Sequence, residues 1–139
     1  MTETAEPVLV CVAPNQIAAF WRHASPLIAA AYETGIGDDT MDTIRRDLET
    51  GDALLWIVWD GTMLAAVTTK LLQTAARRIC LITSCAGREM ARWIHLISGI
   101  ENYARREDCD AVRVMGRPGW KAMLPDYREP WVFLQKDLR

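Results

Sequence analysis

The sequence predicts an α/β domain built on a mixed, mostly antiparallel sheet, with helices on both faces and one parallel β-α-β crossover. Three observations predict it. Apolar runs of strand length alternate with longer stretches of helical periodicity. Asp60-Gly61 lies between two such runs and is a two-residue hairpin signal, so the middle strands pair antiparallel. A strand, the longest helical pattern and another strand then follow in order, and such a unit closes as a parallel crossover. Helical patterns before and after the hairpin block each need a face to cover, which layers the domain.

The elements follow in chain order. Val8 to Val12 is an apolar run stopped by Ala13-Pro14 and reads as the first strand. Ile17, Phe20, Trp21, Ala24, Leu27, Ile28 and Ala31 recur at helical spacing. Pro26 interrupts that stripe, and Ser25-Pro26 suits an N-cap with proline at the first helical position, so a kink or two short helices are expected. Gly35 and Gly37 break the chain. Asp38-Asp39-Thr40 offers capping oxygens for a helix over Met41 to Glu49, with Gly51 suited to its C-terminal end. Ala53 to Trp59 is almost continuously apolar, as in a strand covered on both faces. Its hairpin partner runs from Thr62 to Leu72, and a polar turn leads to a fourth strand, Arg77 to Thr83. The longest helix is expected over Arg88 to Glu107. Met90, Ile94, Ile97 and Ala104 form its inner stripe, and Arg88, Arg92, His95, Asn102 and Arg106 collect opposite. A fifth strand over Ala111 to Met115, a short helix to about Leu124 and a last strand over Trp131 to Lys136 complete the order.

A length of 139 residues, half of them apolar, suits one domain over 1–139 with a buried core. The net charge of −2, with acids and bases interspersed, gives no general pull toward nucleic acid or anionic membrane, so neither is an expected partner. The acidic opening Met-Thr-Glu-Thr-Ala-Glu-Pro lacks the basic region of a secretory signal, and no apolar run reaches the roughly 18 residues that span a bilayer. A cytoplasmic protein is expected. Cys11, Cys80, Cys85 and Cys109 form no C-x-x-C pair and read as reduced, buried thiols. His23 and His95 lack ligand spacing to any cysteine, so no metal site is expected.

Several blocks carry a resemblance. They are Leu55-Trp56-Ile57-Val58-Trp59-Asp60-Gly61 at the hairpin, and Gly87 where the long helix leaves the fourth strand. Ile100-Glu101-Asn102-Tyr103-Ala104-Arg105, Cys109, Gly116-Arg117-Pro118-Gly119-Trp120 and Lys136-Asp137-Leu138 follow. With the element order, they resemble the GNAT superfamily of N-acetyltransferases over nearly the whole chain from Val8. The later blocks look like small GNAT-like proteins of tailed bacteriophages and prophages, whose pattern runs E-x-x-A, G-C, GR-x-GW, L and K-D-L. Asp108-Cys109 stands at the G-C position.

The resemblance implies acetyl-CoA as cofactor and transfer of its acetyl group to an amine on a small molecule or a protein. The cofactor pyrophosphate would rest on backbone N–H groups where the long helix begins, since a helix N-terminus offers unpaired donors and a positive dipole end. The family signature Q/R-x-x-G-x-G/A falls on Ser84-Cys85-Ala86-Gly87-Arg88-Glu89. Gly87 matches it, Ser84 replaces the Gln or Arg, and Glu89 replaces the small last residue. Ser84, Cys85, Ala86, Gly87, Arg88 and Glu89 are therefore the candidate cofactor-binding residues. The Glu89 carboxylate repels a pyrophosphate, and Arg88 and Arg92, one turn apart, offset it. Arg117 stands after the fifth strand, where α/β folds place their sites, and offers a planar fork of donors to a phosphate or carboxylate. The family's fourth-helix tyrosine, the acid for the leaving thiolate, would fall near Leu124. Tyr127 is the nearest substitute and the candidate catalytic residue. Glu101 is expected to be buried against an arginine such as Arg117 as a structural ion pair.

The same residues support a second class of function, a GNAT-like fold without catalysis. It would serve as a phage- or prophage-encoded interaction protein or a virion-associated component. On that reading Glu89 and its neighbours fill the anion site, and the chain self-associates or shows a partner surface bearing exposed aromatics.

Overall fold

The computed structural model describes residues 5–33, 38–116 and 119–139. Gly35, Gly37, Arg117 and Pro118, on which sequence expectations rest, lie outside the described residues.

Five apolar runs find one another in chain order. β1 (Val8–Val12), β2 (Leu54–Trp59), β3 (Met63–Gln73) and β4 (Arg78–Gly87) pair antiparallel, and β5 (Ala111–Val114) joins β4 in parallel. The hairpin of β2 and β3 forms where the sequence predicts it, but through three residues, Asp60 to Thr62, instead of the two of Asp60-Gly61. Gly61 takes φ 108°, and the Asp60 carboxylate accepts from the Thr62 N–H at 3.2 Å and its hydroxyl at 3.1 Å.

Residue parity along β2 divides the core. Leu55 and Ile57 pack under α1 (Ile17–Glu33) and α2 (Met41–Thr50) with Ala24, Ile28, Ile44 and Leu48. Trp56 faces the other way, toward α3 (Ile97–Arg106) and α4 (Trp120–Met123), with Val67, Ile82, Ile100 and Leu124. A strand covered on both faces reads as continuously apolar for this reason. The Trp56 indole N–H still finds a buried partner, the Thr69 hydroxyl at 3.0 Å. The α2 ends match their signals: Thr40 caps the N-terminus by accepting from the Thr43 N–H at 3.2 Å, and Gly51 closes the C-terminus at φ 86°.

The structure departs from the sequence expectation in four further places. α1 runs unbroken through Pro26. Proline removes one backbone bond, and the buried Ala24 and Ile28 on either side hold the helix to the sheet across that loss. The expected helix over Arg88 to Glu107 is replaced by single 3-10 turns at Met90–Arg92 and Ile94–Leu96, and α-helix begins only at Ile97. Trp93 is the cause. Its ring is fully buried against Val58, Leu64 and Ala65, and its indole N–H donates to the Arg88 carbonyl at 2.8 Å. Seating it there takes the backbone out of helical geometry, with Glu89 at φ 55° and Trp93 at φ −133°. Third, β4 reaches Gly87, beyond the expected end at Thr83, because β3 keeps pairing with it. Finally, no strand forms over 131–136, and Trp131, Val132, Phe133 and Leu134 are exposed. All four cysteines are free. Cys80 is buried and Cys85 and Cys109 are half-buried, whereas Cys11, on the edge strand β1, is exposed rather than buried.

Two glycines test the packing. A Cβ on Gly87 would overlap the Leu64 carbonyl and Ala65, so β3 and β4 approach closely only because the side chain is missing. Gly119 has φ −58° and open space around it. Gly87→Ala is expected to cost about 1–3 kcal/mol by overpacking, and Gly119→Ala to stay within about 0.5 kcal/mol of the parent. Urea midpoints check this, and equal midpoints for the two variants contradict the packing described.

Candidate functional site

Thr68 pairs with Ser84 while its neighbour Thr69 pairs with Ile82, so Thr83 is an extra residue, a bulge in β4. Hydroxyls hold it in place. The Thr83 hydroxyl lies 2.7 Å from that of Thr68 and donates to the Thr68 carbonyl at 3.1 Å, and the Ser84 hydroxyl bonds Thr68 as well.

A bulge reverses the parity of a strand, because alternate residues point their backbone groups to opposite neighbours. Before it, Arg78 and Ile82 turn their carbonyls to the β5 side, accepting from Asp110 N–H at 2.7 Å and Met115 N–H at 3.4 Å. After it, Arg88 N–H donates to the Leu64 carbonyl at 2.9 Å, so even-numbered residues now face β3. Cys85 and Gly87 therefore turn their backbone groups outward. β5 meets β4 only over Ile79 to Ile82, which leaves Thr83 to Gly87 without a strand on that side. β4 thus runs on beyond the end of β5, and among the described residues no strand pairs with its outer edge there. Such an edge takes an extended ligand through strand-like hydrogen bonds.

At the top of this edge the chain turns through Glu89. The N–H groups of Glu89, Met90 and Ala91 make no bond with another described residue. The two arginines nearby bend away toward the hairpin. Arg88 donates to the Thr62 hydroxyl at 3.2 Å. Arg92 bridges Asp60 at 3.0 Å, Glu89 at 3.4 Å and the Ala5 carbonyl at 3.2 Å. Desolvation works to raise the Asp60 pKa, but hydrogen bonds from Arg92 and Thr62 outweigh it and hold the carboxyl below its ordinary value.

The candidate residues thus take distinct places. Ser84 is buried in the hydroxyl cluster, and Ala86 pairs with Ala66. Cys85 is half-buried against both inner clusters of the α3 side, and burial pushes its thiol up to about 12, so it holds its proton at neutral pH. Gly87 gives the close approach to β3, and Glu89 and Arg92 pair with each other. Tyr127 sits under α3, where its hydroxyl donates to the Glu101 carboxylate at 2.7 Å. Burial raises its pKa first, and the bond to Glu101 adds to the shift. Among the described residues Glu101 thus has Tyr127 as a partner, and its expected pairing with Arg117 lies outside the described residues. Sequence reasoning missed the Thr68 and Thr83 pair; its signal is a run of hydroxyl residues, Thr68-Thr69 and Thr83-Ser84, inside otherwise apolar strands.

Across Gly87, on the α1 side, an open cleft of about 460 Å³ is lined by His23, Leu27, Thr62, Met63, Gly87 and Arg88 among others. Among the described residues, no three His, Cys, Asp or Glu side chains group as metal ligands, and no helix is long and apolar enough to cross a membrane.

The raised pKa of Tyr127 has a definite sign. A hydroxyl that holds its proton more tightly when folded stabilises the fold below its unfolded pKa of about 10, and this contribution is lost as the pH rises through the folded value. Tyr127→Phe is expected to lose about 1 kcal/mol at neutral pH, and its stability gap from the parent to close above about pH 10. Melting curves from neutral to alkaline pH check this, and a gap that stays constant contradicts it.

No family model and no curated protein matches the sequence. Solved structures do match the fold. An aminoglycoside acetyltransferase from an uncultured soil metagenomic sample superposes with a TM-score of 0.71 at 13% identity, over 96% of this chain and 97% of that one. A GCN5-related N-acetyltransferase from Ralstonia eutropha JMP134 gives 0.67 at 13% identity, over 95% and 98%. A ribosomal-protein-alanine N-acetyltransferase from Brucella melitensis biovar Abortus 2308 gives 0.65 at 12% identity, over 96% and 99%. At such identities the likeness speaks for architecture, and the architecture of this chain is the GNAT acetyltransferase fold.

Proposed function

We propose that the chain binds acetyl-CoA along the outer edge of β4 and moves its acetyl group to an amine. The observation that carries this is the bare edge itself, opened by the Thr83 bulge and by β5 ending at Val114. Bound there, acetyl-CoA supplies a thioester whose acetyl carbon an amine attacks, the amine losing a proton and the CoA sulfur gaining one. The Cys85 and Gly87 backbone groups hold the amide-bearing arm of the cofactor as a neighbouring strand would. The Cys85 N–H, next to the bulge, is the donor for charge developing on the thioester oxygen.

The free N–H groups of Glu89, Met90 and Ala91 take the pyrophosphate. That end of the site is weakly equipped. The Glu89 carboxylate opposes the phosphates, and Arg88 and Arg92 are held by Thr62 and Asp60. Arg117 is the further phosphate ligand proposed from its place after β5. Ser84 acts from inside, by holding the bulge, and Ala86 by pairing with β3. The α1-side cleft beside Gly87 seats the acceptor. Acceptors of the classes named for the structural neighbours, aminoglycosides and a ribosomal-protein alanine, are the ones to try first.

A second reading, a fold kept without catalysis as an interaction or virion-associated component, draws on one observation. Both arginines at the junction, Arg88 and Arg92, are engaged with the hairpin rather than free for a phosphate. Calorimetry with acetyl-CoA separates the two. Glu89→Gln removes a like charge worth on the order of 1 kcal/mol and is expected to bind about fivefold more tightly than the parent. Absence of heat with both proteins, together with no thiol release in the presence of amines, overturns the acetyltransferase reading. Tyr127 is the proposed proton donor to the sulfur, and to act it must leave Glu101. Tyr127→Phe is then expected to lower kcat with KM unchanged; an unchanged kcat makes Tyr127 a packing residue only.

A further inference from the structure

Trp131, Val132, Phe133, Leu134 and Leu138 are 57–87% exposed. Single apolar side chains on a surface are ordinary, but four in succession are not. The segment has the composition of a strand, with Trp, Val and Phe in a row and alternating faces. It nevertheless has no regular secondary structure.

The second observation concerns the other end of the sheet. β5 is bonded to β4 on one side, and none of the five strands lies on its other side. All four of its residues are half-buried, and Met115 just beyond is 54% exposed. An open edge of this kind is a template for an added strand.

One chain thus holds a strand sequence without an edge and an edge without a strand, and it does not join them. The root of the tail is fixed elsewhere. Tyr127 is tied to Glu101 at 2.7 Å and its N–H to the Leu124 carbonyl at 3.0 Å, and Glu129 is paired with Lys121 at 2.6 Å. Pro130 then stiffens the exit.

We infer that Trp131–Lys136 of a second copy adds to the free edge of β5, and that the exchange is reciprocal, giving a two-fold dimer. Reciprocity follows because each copy carries both complementary elements, so one symmetric arrangement satisfies both edges and both tails. Each sheet gains a sixth strand beyond the five of the single chain. Alternate tail residues, Trp131 and Phe133 against Val132 and Leu134, then cover the two faces of the sheet, one pair lying beside the half-buried Val112 and Val114. The added strand lies on the far side of β5 from β4, so the dimer and the cofactor edge are independent.

Light scattering on the full chain, on a chain ending at Glu129 and on the double variant Phe133→Asp/Leu134→Asp tests this at about 100 μM protein. The full chain is expected to be a dimer and the other two folded monomers, whose circular dichroism lacks only the signal of the added strand, since the single chain has no regular structure in the tail. An excess of a peptide carrying residues 128–139 is expected to convert the full chain to monomer, a result that does not depend on how any variant folds. A monomeric full chain overturns the inference, whether its tail is free or folded back on its own β5. A dimer that survives removal of the tail overturns it as well, by placing the interface elsewhere.

Discussion

One extra residue in β4 sets the direction of every backbone group beyond it. Thr83 is held as a bulge because the hydroxyls of Thr68, Thr83 and Ser84 bond one another in a setting that water does not reach freely. Buried hydroxyls are costly alone and inexpensive when paired. Among the described residues no buried side-chain nitrogen or oxygen is left without a partner, so this cluster is fully satisfied. Without the bulge, β4 would keep turning its even-numbered residues toward β5. With it, Cys85 and Gly87 look outward, over the stretch that β5 is too short to cover.

On the proposed function, the junction above the bulge sets folding against ligand binding. Gly87 lets β4 lie close on β3, and Trp93 closes the end of the sheet while gripping the Arg88 carbonyl. Arg92 then ties Asp60, Glu89 and Ala5 together. These contacts secure the hairpin to the start of the α3 region. They also take up the positive charge that an anion would otherwise meet, and they leave backbone N–H groups as the main donors at the corner. Under the proposed function, binding at this site relies on the strand edge more than on the phosphate end.

Periodicity made most of the architecture legible before any coordinates. The β2–β3 hairpin, both ends of α2 and the parallel crossover each had a local chemical cause visible in the residues: Asp60-Gly61, Thr40 with Gly51, and a strand–helix–strand order. What escaped had non-local causes. The bulge marks the sequence only through Thr68-Thr69 and Thr83-Ser84, hydroxyl residues in otherwise apolar runs whose pairing across two strands no local pattern gives. Trp93 fits the inner stripe of a helix as well as it fits the sheet end, so the break at 89–96 depends on Val58 and Leu64, far away in sequence. Glu101 and Tyr127 meet only because α3 and the chain after α4 pack together. The missing last strand has the right composition but pairs with no strand among the described residues. Asp108 is a case where the sequence carried the information in another form: it takes φ 58° at the position where the phage-type pattern has glycine, the residue that adopts such a φ without strain.

The central claim is that the Cys85 and Gly87 backbone groups face an open edge that acetyl-CoA fills. Amide hydrogen exchange read at those two residues, with and without acetyl-CoA, tests it directly. The account predicts fast exchange at both in the free chain, beside slow exchange at Ala86, and strong protection at both once the cofactor is added. Protection already present in the free chain, or exchange that acetyl-CoA leaves unchanged, would contradict it.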